Sequence, residues 1–219
     1  MYEVLEQLKA GVRRFQTEVY PAREAMYTQA ASEPQRPHTL FITCADSRID
    51  PNEITGTGPG EVFVTRNIGN MVPTYGEMLG GVSAVIEFAV SSLGVQHVVV
   101  CGHSDCGAMK ALLEPQSVAK MPTVTSWLRN AAAALPVAEA LYENDVKEGS
   151  GRSLLEELTE QNVLLQMRHL KTHPSVVQAI GAGNLTMSGW VYEIGSGEVR
   201  IARDGQQIFR PIGSDGAMG

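Results

Sequence analysis

The sequence has 219 residues, 43% of them hydrophobic and 19% charged, with a formal net charge of −7. This balance is typical of a globular protein with enough core for one α/β domain, and the lack of a basic run or stripe argues against nucleic acid and anionic membrane surfaces as partners. No apolar run approaches the roughly 18 residues needed to span a bilayer.

The cysteine content and the first residues indicate a compartment. Three cysteines are an odd and small number, which argues against a disulfide framework. It favours metal binding or catalysis by the cysteines in a reducing environment. Residues 1–6 lack the basic and then apolar order of a signal peptide. We therefore expect a cytoplasmic protein.

The chain begins with a predicted helical arm, residues 1–31. Its apolar residues recur at helical spacing and predict an amphipathic helix, which we expect Pro21 to interrupt before a second helical piece over 23–31. A proline-broken loop is expected over 32–37. The apolar positions of the first helix are Val4, Leu8, Val12, Phe15 and Val19.

Three short apolar segments then predict strands over 39–44, 61–65 and 97–101. Between the second and third strands an apolar helix is predicted, which Gly94 ends. Its apolar positions are Met78, Val82, Val85, Ile86, Ala89 and Leu93. A strand, a helix and a strand at this spacing form a βαβ unit with parallel strands, and the continuous apolar strands indicate a sheet covered on both faces.

The C-terminal part of the chain completes the predicted fold. Residues 154–170 predict a helix with acidic early turns and a basic end, as the helix dipole favours. Strands over 185–194 and 198–202 flank a glycine-rich turn and predict a hairpin, and we expect a disordered tail over 213–219. We predict a single α/β domain: a mostly parallel β-sheet flanked by helices, with an N-terminal helical arm and a C-terminal antiparallel hairpin.

Side chains that bind metals follow two of the predicted parallel strands. Cys44 ends the first strand, and His103 and Cys106 follow the third. Ligands of open α/β sheets bind at the carboxyl ends of the strands, so we expect these side chains to meet there. Two thiolates and an imidazole suit zinc, and three protein ligands leave the open position of a catalytic site. A nucleophilic Cys106 with His103 as its base is a rival use of the same residues.

The other cysteine and histidines have ordinary interpretations. Cys101 is expected to be a buried small hydrophobe, and Lys110 a solvated helix residue. The 56–60 segment is glycine-rich but lacks the spacing of a phosphate loop, so it predicts a tight turn before the second strand. The histidines expected to be surface or hydrogen-bonded polar groups are His38, His97, His169 and His173.

A carboxylate and a guanidinium lie directly after the first candidate ligand. Asp46 and Arg48 are two residues apart in a turn, which permits a charge-assisted hydrogen bond with fork geometry. An isolated surface pair of this kind is worth less than about 1 kcal/mol. Beside a zinc site, the same pair can hold the carboxylate so that it accepts a proton from zinc-bound hydroxide, and their position favours this second interpretation.

Three separated segments resemble the β-carbonic anhydrases. They are residues 44–48, 63–70 and 103–107, and the resemblance extends over about 4–211. The 71–73 segment is most similar to the plant and cyanobacterial branch. The resemblance implies reversible hydration of carbon dioxide to bicarbonate and a proton.

The resemblance also implies roles for the clustered residues. Cys44, His103 and Cys106 match the ligands of one zinc ion per subunit, and Asp46 and Arg48 match the pair that orients zinc hydroxide. In some family members the aspartate becomes a fourth zinc ligand in a closed, inactive form, so Asp46 is also a candidate ligand.

Five further positions match substrate-binding residues of the family. Gln35 matches a glutamine that donates a hydrogen bond to bicarbonate, and Gly107 lies in the matching segment beside the site. Phe63, Ile68 and Phe88 match the apolar wall of the pocket, where Phe88 stands in place of the usual plant tyrosine.

Family properties imply the assembly. Members are dimers or dimers of dimers whose N-terminal helix crosses the partner, so Gln35 and Phe63 are expected to serve the neighbouring subunit's zinc. No tryptophan lies shortly before Cys44, so inhibition through a non-catalytic bicarbonate pocket is not expected. If the host is photosynthetic, a carbon-concentrating compartment is the alternative to the general cytoplasm.

Two other functions remain open from the sequence. Carbonyl sulfide or carbon disulfide hydrolysis uses the same zinc ligands in similar proteins, and a non-catalytic zinc-stabilised assembly protein is the third alternative. Asp46, Arg48 and Gln35 argue against a purely structural site. Because two thiolates offset the charge of zinc, we expect activity to rise through mildly alkaline pH.

Overall fold

The computed structural model describes residues 2–76, 80–148 and 151–213. Within them, six strands form one sheet in the order β2-β1-β3-β4-β5-β6. β1 to β4 are mutually parallel, and β5 and β6 are antiparallel to their neighbours. The strands are β1 Thr39–Cys44, β2 Val62–Asn67, β3 His97–His103, β4 Thr186–Tyr192, β5 Val199–Arg203 and β6 Arg210–Pro211.

Helices flank this sheet, so the predicted fold class and the C-terminal hairpin are confirmed. The helices are α1 Tyr2–Arg14, α2 Tyr20–Ala22, α3 Glu24–Ser32, α4 Pro51–Thr55, α5 Gly81–Glu87, α6 Gly107–Leu113, α7 Pro122–Leu128, α8 Leu135–Glu148, α9 Leu154–Leu170 and α10 Pro174–Gly181. π-helical turns continue α1 over Phe15–Val19 and α5 over Phe88–Ser92, and 3₁₀ turns occupy Pro115–Val118 and Arg129–Ala134. No helix of the described residues is long and apolar enough to cross a membrane.

The central strands are buried on both faces, as their continuous apolar sequences predict. Val98 and Val100 are fully buried in β3, and Val99 is 2% exposed. Side chains alternate between the two faces of a strand, so this burial requires cover on each side. The predicted strands β2 and β3 each extend two residues further, to Asn67 and His103.

The extension of β3 brings a glycine and a polar residue into the sheet. Gly102 and His103 pair with Val191 and Tyr192 of β4. The ladder hydrogen bonds therefore override the low strand propensity of Gly102. His103 consequently lies at the carboxyl end of β3 and not in the following loop.

α9 packs closest to the sheet. A Cβ atom at Gly102 would lie 2.8 Å from Val163 Cγ2, and one at Gly189 would lie 2.6 Å from Val163 Cγ1. The two glycines therefore permit the helix to approach β3 and β4. The helix begins with a capping box, in which Ser153 Oγ accepts from Glu156 N–H and Glu156 accepts from Ser153 N–H.

The arm differs from its prediction. The chain stays helical from α1 through the π-helical turn and Pro21, and the break lies at Arg23 with φ −125°. The expected interruption at Pro21 is therefore wrong by two residues. The arm is exposed: α1 contains no buried residue, and Val12 keeps 56% of its surface.

Short helices account for most of the elements that periodicity does not predict. α4 begins at an Asp50 cap whose carboxylate accepts from Asn52 N–H at 3.0 Å. Pro122 and Pro174 stand in the first turns of α7 and α10. A capping aspartate and first-turn prolines are start signals of helices that are visible in the sequence. Met78 of the predicted apolar helix and the tail over 214–219 lie outside the described residues.

Candidate metal centre

The carboxyl ends of β1 and β3 bring the candidate ligands together. The two strands are parallel neighbours, with Thr43 paired to Cys101, so Cys44 and His103 leave the sheet at the same edge. Cys106 caps the start of α6. The ligand atoms of the three residues lie within 4.8 Å of one another, and all three side chains are buried. The predicted cluster is therefore present in the fold.

The hydrogen bonds of His103 identify the tautomer that a metal ligand needs. Nδ1 lies 2.8 Å from the carbonyl oxygen of Ser104. A carbonyl only accepts, so Nδ1 carries the proton and Nε2 presents a lone pair. Within the described residues Nε2 has no hydrogen-bond partner, although the side chain is fully buried.

A buried nitrogen lone pair beside two thiols fits a metal ion. Unpartnered buried polar atoms are rare in folded proteins and need an explanation, and a histidine ligand characteristically donates its other ring N–H to an oxygen. Two sulfurs and one nitrogen match the donor set of catalytic zinc sites. The residues present therefore fit zinc.

The two cysteine sulfurs have opposite pKa shifts. Hydrogen bonding from Cys106 lowers the pKa of Cys44 to about 4, and the backbone N–H of Gly69, 3.4 Å from the sulfur, lowers it further. The pKa of Cys106 is raised, because Cys106 is hydrogen-bonded to Cys44 and is buried. One thiolate therefore forms readily here, and a cation between the sulfurs favours the second.

Cys101 differs from both of them. Full burial raises the pKa of Cys101 to about 12, and its thiol packs with Phe41 and Val99. The prediction of a small buried hydrophobe is confirmed.

Asp46 and Arg48 form the expected fork. Arg48 Nε donates to Asp46 Oδ1 at 2.9 Å and Nη2 donates to Oδ2 at 2.8 Å. This hydrogen bonding holds the pKa of Asp46 well below its usual range, so the carboxylate stays ionised. Asp46 Oδ2 is 3.9 Å from His103 Nε2, which places a hydrogen-bond acceptor directly beside the cluster.

Two residues that the sequence does not single out support this fork. Asp105 Oδ2 accepts from Arg48 Nη1 at 2.9 Å, and Asp105 also contacts Lys110. Arg66 donates from Nε to Cys44 O at 3.1 Å and from Nη2 to Asp46 O at 2.5 Å. Both contacts cross between strands or loops, so spacing along the chain does not reveal them. Lys110 lies on α6 and is exposed, as predicted, but it is also paired.

The substrate positions carried over from the family are placed in two groups. The rings of Phe63 and Phe88 are in contact, with centroids 6.1 Å apart. Ile68 directly precedes Gly69, whose N–H donates to Cys44 Sγ, and Gly107 directly follows Cys106. Gln35 is exposed and lines a cavity of about 940 Å³ between α3 and the 56–61 turn. Gln35 and this turn precede β1 and β2, whereas the three ligands lie at the carboxyl ends of β1 and β3, so one chain alone does not bring Gln35 to the cluster.

The predicted polar roles of the other histidines are confirmed. His38 is bonded to Thr39 Oγ1 at 2.7 Å, and His97 is bonded to Thr186 Oγ1 at 2.7 Å. His169 and His173 donate to the carbonyl oxygens of Val72 and Pro73 at 2.7 and 3.0 Å. The predicted turn over 56–60 is also present, and Gly56 ends α4 at φ +64°.

Comparison with known proteins decides the family. A family model described as carbonic anhydrase matches residues 39–199. The solved β-carbonic anhydrase CcaA superposes with a TM-score of 0.88 at 34% identity, over 97% of this chain and 94% of that one.

The chain belongs to the β-carbonic anhydrase family.

Curated relatives agree with this assignment. A carbonic anhydrase of Synechococcus elongatus is 45% identical over 89% of this chain and 70% of its own length. A carbonic anhydrase of Pseudomonas aeruginosa is 46% identical over 86% of this chain and 83% of its own length. The resemblance stated from the motifs is therefore confirmed, including its cyanobacterial similarity, and the chain is an enzyme of the carbonic anhydrase family.

Proposed function

We propose that this β-carbonic anhydrase family member catalyses the zinc-dependent reversible hydration of carbon dioxide to bicarbonate and a proton. The observation that carries the proposal is the buried Nε2 lone pair of His103, which lies beside two cysteine sulfurs and an ionised Asp46. Cys44, His103 and Cys106 would hold one zinc ion per subunit. When bound, zinc supplies Lewis acidity at the end of the sheet.

The chain's own residues then orient the reaction. Because Arg48 binds both oxygens of Asp46, the carboxylate has one fixed direction and accepts a hydrogen bond from a water molecule beside the cluster. Asp46 stays ionised through neutral pH, so its carboxylate orients a hydrogen atom of this water as an acceptor and does not itself become protonated. The alternative of a closed form with Asp46 as a ligand is consistent with its 3.9 Å distance to His103 Nε2.

An apolar wall suits the substrate. Carbon dioxide carries no charge, and Ile68, Phe63 and Phe88 offer apolar surface without groups that would require a polar partner. In our proposal Gly107 adjoins the bound substrate and Gln35 donates to bicarbonate.

We also propose a cytoplasmic homo-oligomer, a dimer or a dimer of dimers. The exposed α1 arm supports this assembly, and one pair of similar structures, from Sordaria macrospora, is described as tetrameric. Gln35, which lies away from the cluster of its own chain, would then serve the partner's site together with Phe63.

Stopped-flow measurement of carbon dioxide hydration tests the function. The protein is assayed from pH 6 to 9 with its zinc content determined, after zinc removal by a chelator, and after zinc is restored. We expect activity that follows zinc occupancy and rises through mildly alkaline pH. Full zinc occupancy without hydration would refute the proposal. Hydrolysis of carbonyl sulfide or carbon disulfide by the same sample would then identify these as the substrates. Inactivity toward all three compounds would indicate a structural zinc site.

A further inference from the structure

One peptide group in the loop after β2 contacts both the candidate metal centre and α7. The N–H of Gly69 donates to Cys44 Sγ at 3.4 Å. The carbonyl oxygen of Ile68, which belongs to the same peptide group, accepts from Trp127 Nε1–H at 2.8 Å. The indole therefore connects to the Cys44 sulfur through a single peptide plane. Consecutive hydrogen bonds polarise one another, so a donor bound to the carbonyl oxygen strengthens the hydrogen bond that the N–H of the same peptide group donates.

The next peptide group is held from α9. Asn162 Nδ2 donates to Gly69 O at 3.1 Å, and Gln166 Nε2 donates to Asn162 Oδ1 at 2.8 Å. Asn162 and Gln166 are both fully buried. With its two peptide groups bound by Trp127 and Asn162, Gly69 has little freedom to rotate away from the sulfur.

Steric contact also restricts the position of the Gly69 backbone. Its φ is +76°, and a Cβ atom here would lie 2.9 Å from Ala108 Cβ and 2.9 Å from Met71 Cε. Ala108 belongs to α6, the helix that Cys106 caps. The backbone of Gly69 is thus held between Ala108 and Met71, and the direction of its N–H depends on the groups that bind the adjoining carbonyl oxygens.

We propose that Trp127 is a positioning residue of the metal centre, whose indole N–H orients the peptide group that donates to the Cys44 sulfur. The inference rests on the proposed zinc site. Groups that orient a ligand from outside the metal's own shell typically change metal affinity by about 10–100-fold when they are removed. A residue that merely anchored α7 would change stability and leave the metal centre unaffected.

The Trp127→Phe variant tests this role, because it keeps an aromatic ring and removes the donor. Trp190→Phe is the matched control, since Trp190 Nε1 donates to Ser188 Oγ at 2.9 Å on β4. Zinc affinity is measured by competition with a chelator. We expect about tenfold weaker zinc binding for Trp127→Phe and wild-type affinity for Trp190→Phe.

Cobalt-substituted protein gives a second readout. The sulfur-to-cobalt charge-transfer band is expected to move to longer wavelength in Trp127→Phe, because the sulfur electrons lose a hydrogen bond that stabilises them. If the phenylalanine variant fails to fold, as circular dichroism shows, benzothienylalanine at position 127 in the Trp190→Phe background keeps the indole shape without the N–H.

The outcomes separate this inference from the proposed function. A folded variant at position 127 with wild-type zinc affinity and an unshifted band would overturn the role of Trp127 and leave the function intact. A wild-type chain that binds no zinc would overturn both.

Discussion

Arg48 is the residue on which the geometry beside the candidate metal centre depends. Its guanidinium donates to both oxygens of Asp46 and also to Asp105. A single exposed ion pair contributes little to stability, but a planar fork fixes the direction of the carboxylate as well as its charge. The contribution of Arg48 is therefore to orientation, which activity reports better than unfolding does.

Replacement of Arg48 by Lys separates charge from geometry. Lysine keeps the positive charge but cannot bind Asp46 with two parallel N–H groups, so we expect kcat/KM to fall by about tenfold or more while zinc content is retained. Arg129→Lys is the control, because that guanidinium contacts only Ser126 in the described structure. Wild-type activity in Arg48→Lys would show that the fork is dispensable.

The close packing around Gly69 predicts how a substitution at this residue changes stability. Gly69→Ala introduces a Cβ atom at positive φ and 2.9 Å from Ala108 Cβ, whereas the Cβ atom of Gly94→Ala, at φ +66°, has no atom of the described residues within 4 Å. We expect Gly69→Ala to lower the free energy of unfolding by about 2–3 kcal/mol and Gly94→Ala by about 1 kcal/mol. Urea denaturation measures both, and equal losses would refute the steric argument.

Among the elements, those with the clearest sequence patterns were the ones predicted correctly. β1, β3 and α9 have long apolar or periodic stretches, so their positions follow from the sequence. Short α4 and α7 have too few turns for a periodic pattern, and their start signals are the Asp50 cap of α4 and the first-turn proline of each helix. The three ligands were predicted because parallel strands end at one edge. Trp127 and Arg66 were not predicted as site residues, because their contacts with Ile68 and Cys44 depend on the tertiary fold.

A buried ionic cluster joins α9 to β5. Glu160 is 3% exposed and is paired with Arg200 of β5 and, at 2.8 Å, with Arg152. Breaking a buried pair by removing one partner leaves an uncompensated charge, which is more costly than removing both.

Arg200→Met is therefore expected to lower the free energy of unfolding by about 3 kcal/mol, because Arg152 must then neutralise both buried carboxylates, Glu157 and Glu160. The double variant Arg200→Met with Glu160→Gln is expected to recover part of that loss, because no charge is left unpaired. Urea denaturation of the wild type and the two variants provides the measurement. A single variant as stable as the wild type would contradict the account of this cluster.

At the scale of the whole molecule, α1 is a helix that lies exposed on the single chain. The apolar face of α1 has no buried residue, although its spacing is that of a helix that packs against a partner surface. Gln35 follows the arm and lies at the other end of β1 from the candidate metal centre of its own chain. Both observations are accounted for if the arm packs on a second copy.

Val12→Glu tests that assembly. A charge placed in an apolar interface is costly to desolvate, so we expect the variant to sediment as a smaller species than the wild type with the same helix content. Val146→Glu is the control, because Val146 on α8 is similarly exposed, at 60% against 56% for Val12. A wild type that sediments as a monomer at micromolar concentration would contradict the proposed oligomer.

The central claim is that an ionised Asp46 beside a Cys44, His103 and Cys106 zinc site orients the hydration of carbon dioxide. Stopped-flow hydration by the wild type and by Asp46→Asn, each with its zinc content determined, tests it most directly. We predict fast hydration by the wild type and a loss of about 100-fold or more in the variant, since a positioned acid or base group contributes about that much, with zinc retained. Equal hydration by the two proteins, or none by the zinc-loaded wild type, would contradict it.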